Sequence, residues 1–161
     1  MDSTVRRIVT GHDGRGLAVV RRDERLETQT IPSGEARFVK LWTTDRSPAD
    51  NQDEGDAALR PTGLTSPGGS VLRVVDLLPG ARSPMHRTQS VDYGIVMQGE
   101  LDMELDSGER VQLQPGDVVV QRGTNHAWVN RSAHTVRMIF ILIEAAPYLH
   151  EGKPLPDVLD H

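Results

Sequence analysis

From residue 71 onward the chain is written in short runs of apolar and polar residues, stopped at close intervals by glycine or proline. Leu101, Met103 and Leu105 alternate with Asp102, Glu104 and Asp106, a period of two that gives a strand one apolar and one wet face. Asp106-Ser107-Gly108-Glu109 reads as a hairpin turn, after which Val111-Gln112-Leu113-Gln114 resumes the alternation. Val71 to Leu78 is rich in β-formers and stops at Pro79-Gly80; Val118 to Val120 and Val136 to Ile143 are further strands. Punctuation this dense favours an all-β barrel or sandwich over a fold of alternating strands and helices.

Before residue 71 the signal is weaker. Arg7 to Val9 and Gly16 to Arg21 read as a hairpin around Gly11-His12-Asp13-Gly14, and Ala36 to Thr43 as a third strand. Residues 45–70 form a long polar connection with Pro48, Pro61, Pro67 and the acidic patch Asp53-Glu54-Gly55-Asp56. Loops of this length are uncommon inside a domain, so the segment is expected to be a lid, an arm to a neighbouring chain, or disordered. Residues 147–161, with Pro154 and Pro156, read as a surface extension with room for a short helical turn. At 161 residues one domain, 1–161, is the natural reading.

Composition narrows the chemistry. The chain is 37% hydrophobic and 25% charged, a globular balance, and its formal charge of −5 argues against general nucleic-acid binding. Cysteine is absent, so thiolate nucleophiles and thiolate-bound metals are excluded and any metal takes nitrogen and oxygen ligands. The first residues lack the apolar core of a signal peptide, and the run Met138 to Ile143 is too short to cross a bilayer. A cytoplasmic protein without membrane partners is therefore expected.

Two stretches carry the chemistry. In the first, Gly80 is followed by His86, Thr88, Asp92 and Gly99; in the second, Gly116 is followed by Gly123, His126 and Asn130. Placed on adjacent strands of a barrel, His86, His126 and Asp92 would set two imidazoles and a carboxylate around one point, as a metal site requires.

The spacing resembles the two motifs of the cupin superfamily, G-x5-H-x-H-x3-4-E-x6-G and G-x5-P-x-G-x2-H-x3-N. The second motif here is one residue shorter after Gly116 and has Gln121 where proline is usual. The match covers residues 71–144. It implies a double-stranded β-helix, or jelly-roll barrel, with a divalent metal (Fe, Zn, Mn or Ni) held inside one mouth by His86, Asp92 and His126. Two positions depart from the family pattern. Thr88 stands at the second histidine, where a hydroxyl is a poor ligand but can hold a metal-bound water. Asp92 replaces glutamate and reaches about one methylene less far. Without a metal, the same three residues would serve acid–base work in a dry pocket.

Other residues bear on a small-molecule substrate. Arg82, Arg87 and Arg122 flank the motifs, either as carboxylate clamps or as solvated charges. Gln121, Asn125 and Trp128 bracket His126, with Trp128 on its face of the strand as a pocket wall or a core residue. Asn130 is expected to stabilise the hairpin, and Gly94 either leaves room for a ligand or marks a bulge. His12, His134, His150 and His161 sit in turn-like or tail-like contexts and are expected to be exposed.

Stand-alone cupins of secondary-metabolite pathways resemble the whole chain. That likeness implies a metal-assisted lyase or isomerase acting on a small oxygenated acid or polyketide-like metabolite by dehydration, decarboxylation or enolisation. A non-haem iron oxygenase and a non-catalytic binding barrel are the alternatives. Ile139, Ile141 and Ile143 make a second apolar face on the last long strand, which needs a cover. A homodimer would supply it, as would the N-terminal strands.

Overall fold

A computed structural model of the chain describes residues 2–156 and 158. In chain order the strands are β1 (Thr4–His12), β2 (Ala18–Glu27), β3 (Gln29–Thr30), β4 (Ala36–Thr44), β5 (Ser70–Leu77), β6 (Ser90–Gln98) and β7 (Leu101–Leu105). They continue as β8 (Arg110–Leu113), β9 (Val118–Arg122), β10 (His126–Val129), β11 (Val136–Glu144), β12 (Leu149–His150) and β13 (Lys153–Pro154). A single 3-10 turn, Ala57–Leu59, interrupts the connection between β4 and β5. Among the described residues no helix is long and apolar enough to cross a membrane.

All pairings are antiparallel and build two main layers: a six-stranded sheet, β3-β4-β5-β11-β6-β9, and a smaller sheet, β10-β7-β8. Residues 82–87 run beside β10, through Ser83 N–H to Trp128 O at 2.9 Å and reciprocal bonds between His86 and His126. Side chains from both layers meet in one core: Val96, Val136 and Met138 from the large sheet, Leu101, Leu113 and Trp128 from the small one. This is the jelly roll that the motif spacing implies. Alternation explains which residues enter it. Along β11, Val136, Met138 and Leu142 are buried, whereas Ile139 and Ile141 are half-buried on the other face and Ile143 is exposed.

Turn residues hold the layers in register. Gly99 has φ of +79° between β6 and β7, and a Cβ there would come within 2.9 Å of Val136 Cγ2. Asn130 is fully buried after β10; its amide donates to the carbonyls of Leu77, Leu78 and His134 while its oxygen accepts from Ser132. It staples one sheet to the other, a wider role than the local hairpin expected of it.

The N-terminal hairpin is longer than expected. Its strands are paired by charge, Arg6 with Asp23 at 2.7 Å and Arg7 with Glu24, so apolar alternation understates their length. Arg7 is buried and donates to Leu41 O and to Asp56. Arg137 of β11 donates to Thr4 O and Asp2 O. The hairpin thus crosses the outer face of the large sheet over β4 and β5, where Val74 is only 2% exposed. It leaves the β6–β9 side uncovered: Tyr93, Val118, Val120 and Ile143 stay exposed.

Residues 45–70 are held by specific bonds as a strap: the part around Asp56 lies against the N-terminal hairpin, and Thr62, Gly63 and Leu64 line the barrel mouth. Asp56 caps the 3-10 turn through Ala58 N–H and accepts from Arg7; Lys40 and Arg73 donate to carbonyls of Arg60, Gly63 and Leu64. Among the described residues the C-terminal extension has no helical turn. It forms the two-residue pairing of β12 with β13, and Val158 pairs with Arg87. His12, His134 and His150 are exposed as expected; His161 lies outside the described residues.

Candidate functional site

His86 and His126 face each other across the junction of residues 82–87 and β10. Each backbone N–H donates to the other's carbonyl at 2.9 Å, so both side chains leave the same face, and the ring centroids are 4.3 Å apart. Gly123, at φ of +61°, turns the chain from β9 so that β10 begins at His126. Each ring has its Nδ1 2.9 Å from a backbone carbonyl, Pro84 O for His86 and Thr124 O for His126. A carbonyl only accepts, so Nδ1 carries the proton and the neutral ring keeps its lone pair on Nε2. Burial, and then the neighbouring His86, push the His126 pKa down to about 4, against the opposing bond to Thr124 O. His126 is therefore neutral at physiological pH.

Both rings line a cavity of about 470 Å³ in the barrel mouth, with Thr88 and Asp92 also on its wall. The rest is largely apolar. Trp128 stands edge-on to His126 at 5.3 Å and tilted against Phe140 at 5.3 Å, so it is both core and pocket wall. Gly94 leaves no empty space: a Cβ there would meet Phe140 Cε1 at 3.1 Å, because the Phe140 ring fills the room.

Asp92 is the third residue of β6 and is buried. Thr88, Ser90 and Asp92 alternate onto one face and bond in line: Thr88 Oγ1 to Ser90 Oγ at 2.7 Å, and Ser90 Oγ donating to Asp92 Oδ1 at 2.6 Å. Burial raises the Asp92 pKa, with the Ser90 hydrogen bond working the other way. Folding therefore shifts the balance toward the protonated acid relative to the unfolded chain. A carboxyl whose folded pKa lies above its unfolded value stabilises the fold at low pH and loses that contribution as pH rises through the folded value. Asp92→Asn keeps an oxygen for Ser90 and removes the charge. It is expected to melt above wild type at pH 7, the gap closing toward acidic pH in a series of thermal melts. A lower melting point at pH 7 would show the carboxylate to be paired.

The histidines are held as metal-ligating histidines are, with tautomers set by second hydrogen bonds. The third donor is not with them. Among the described residues no three His, Asp or Glu side chains are grouped closely enough to hold an ion. The short Asp92 side chain stays with Ser90 on its own strand, and the Thr88 hydroxyl is engaged by the same serine. The three-residue ligand set expected from the motifs is thus open in this structure: two nitrogen donors converge and the carboxylate stands apart.

The other candidates fall outside the cavity. Arg82 is half exposed and paired with Glu104 at 2.7 Å, and Arg122 is exposed opposite Val91. Both leave the sheets on outward positions, which is why neither reaches the mouth. Arg87 is held by Asp106 and the C-terminal segment. Gln121 is buried across from Asp92, but its amide is turned to Thr124 at the seam between β9 and β10. Sequence reasoning missed the two cationic residues of the cavity wall, Lys40 and Arg73. The signal for Arg73 was present, since it shares the period-two face of Val71, Val75 and Leu77.

A cupin-domain family model matches residues 73–142. Phomopsin biosynthesis cluster protein C' of Diaporthe leptostromiformis is 47% identical over 165 residues, covering 96% of this chain and 86% of the relative. The cupin-domain-containing oxidoreductase fogC of Aspergillus ruber is 36% identical over 164 residues, covering 98% and 81%. Among known structures, the polyketide cyclase RemF of Streptomyces resistomycificus superposes with a TM-score of 0.53 at 19% identity, over 82% of this chain and 78% of that one.

Proposed function

Since this chain belongs to the cupin family, we propose that its barrel mouth is an enzyme site moving a proton on a small oxygenated metabolite. The step is of lyase or isomerase type: dehydration, decarboxylation or enolisation. One observation carries this reading. Two imidazoles, 4.3 Å apart, keep Nδ1 protonated by bonds to backbone carbonyls and open Nε2 on a largely apolar cavity. A neutral ring held so takes a proton from carbon or oxygen at Nε2, and the neighbouring ring or Asp92 returns one. Trp128 and Phe140 exclude water from the reacting face. The biosynthetic-cluster name of the phomopsin relative agrees with a metabolite-tailoring role.

A second reading has its own support in the oxidoreductase name of the Aspergillus ruber relative. Under it His86 and His126, joined by Asp92 once Ser90 releases it, would hold a divalent ion such as iron, zinc, manganese or nickel. Such an ion supplies Lewis-acid or oxygen chemistry when bound. Incubating the protein with oxygenated aromatic acids in D₂O, with and without added iron(II), separates the readings by product mass and oxygen uptake. The proton-transfer reading expects deuterium on carbon, or loss of water or carbon dioxide, without oxygen consumption. Oxygen uptake dependent on iron would establish the second reading, and unchanged masses throughout would leave a binding barrel.

We also propose that a second copy of the chain covers the β6–β9 side of the large sheet. Tyr93, Val118, Val120 and Ile143 are exposed there beside half-buried Val91, Ile95, Ile139 and Ile141, a continuous apolar surface that water disfavours. Sedimentation at micromolar concentration is expected to show a dimer, and Val120→Lys a monomer with unchanged secondary structure. A wild-type monomer would overturn this.

A further inference from the structure

The cavity wall carries two cations that, among the described residues, have no carboxylate hydrogen-bonded to them. Lys40 of β4 and Arg73 of β5 are direct cross-strand partners and both line the cavity wall. Like charges directly opposite on a sheet repel, and burying them adds a desolvation cost. That cost is visible in both groups, whose pKa values burial lowers. Lys40 donates to Arg60 O and Thr62 Oγ1, and Arg73 donates through Nη2 to Gly63 O and Leu64 O. All of these acceptors are neutral atoms of the strap. Arg73 Nε is buried with no hydrogen-bond partner among the described residues. Among the described residues the one carboxylate on the cavity wall is Asp92, which accepts from Ser90 Oγ and acts on Arg73 only through space. Two positive charges therefore meet at most one negative charge in an otherwise largely apolar chamber.

We propose that Lys40 and Arg73 are the receptor for an anionic head group, a carboxylate, of the substrate. The inference rests on reading the cavity as a small-molecule site, and it names the substrate class: a monoanion with an apolar, ring-sized body. The arginine fork matches the two oxygens of a carboxylate, and the lysine adds a point charge beside it. The body lies along Phe140 and Trp128 toward the imidazoles. Arg73 enters the cavity next to Phe140, its partner across β11, so the head group is anchored at one end of the chamber and the reacting carbon is offered to His126 at the other. The strap carbonyls of Gly63 and Leu64 hold the place of the carboxylate oxygens until it arrives.

The test compares 2-naphthoate with 2-naphthamide, one ring system carrying either a carboxylate or a neutral amide, by titration calorimetry on the full chain. Wild type is expected to bind the acid at least ~10-fold more tightly than the amide. Arg73→Met and Lys40→Met are each expected to weaken the acid ~10- to 100-fold and leave the amide within about 3-fold. Arg73→Lys, which keeps charge and loses the fork, falls between. Thermal melts report whether each variant is folded; Arg73→Lys keeps the comparison open if Arg73→Met is not. Equal affinity of wild type for acid and amide, or variants that weaken both alike, would overturn the assignment and leave the cavity as a binding site. Failure of both probes to bind wild type would instead overturn the small-molecule reading itself.

Discussion

His126→Ala is expected to lower proton transfer to and from carbon by about 10²- to 10⁴-fold, the usual contribution of a positioned general base. The measurement is deuterium incorporation in D₂O on whichever acid the panel shows to exchange, with the melting temperature as a control for folding. The size of the effect follows from how the ring is prepared. Its Nδ1 is occupied by Thr124 O at 2.9 Å, which directs the lone pair to Nε2. Burial keeps it neutral, with a pKa of about 4, so the base is available at every pH from mildly acidic upward. His86→Ala is expected to cost a similar factor, because it removes the second ring of the pair 4.3 Å away. His126→Gln retains a polar group of comparable length and should recover little, since an amide does not accept a proton near neutral pH. Full activity in both alanine variants would remove the imidazole pair from the mechanism.

The largest effect on stability is expected at Asp76. Its side chain is fully buried on the outer face of the large sheet and accepts from Arg137 Nε at 2.7 Å and Nη2 at 2.9 Å, with Arg37 at 3.7 Å. Asp76→Ala leaves the guanidinium groups of Arg137 and Arg37 without the buried carboxylate they share. Breaking one side of a buried pair costs roughly 3–5 kcal/mol, against a total of about 5–15 kcal/mol for a domain. In a chain of this length that corresponds to a fall of roughly 10 °C in melting temperature. Asp76→Val combined with Arg137→Met should recover most of the loss, because replacing both partners removes the stranded charge as well. The same pair anchors the hairpin, since Arg137 reaches Thr4 O and Asp2 O. Asp76→Ala is therefore also expected to expose β1 to proteolysis. A change in melting temperature of only a degree or two would show that the pair contributes little.

Much of this architecture is legible in the residues. β5, β7, β8, β9 and β11 lie where the short apolar runs place them, because the pleat of a strand ties every second side chain to one face without help from distant parts of the chain. The meeting of His86 and His126 follows from the spaced glycines and histidines of the two motifs. The charged hairpin β1–β2 was harder to read. Its strands are matched by ion pairs with a partner more than ten residues away, and no local alternation records that. The strap also gave little sign of order, since its bonds run to Arg7, Lys40 and Arg73, each on a different strand.

Sequence periodicity and turn chemistry therefore account for the all-β fold and the apolar interior, and the resemblance of the two motifs to the cupin pattern for the facing imidazoles. Three things waited on the folded chain: that Asp92 stays with Ser90, that Arg82 and Arg122 point outward, and that Lys40 stands opposite Arg73. The physical reason is the range of the forces. Pleating and turns act over a few residues. A charge takes its meaning from what lies across the sheet, and that depends on a register between strands separated by the whole strap, including the bulge between Lys40 and Trp42.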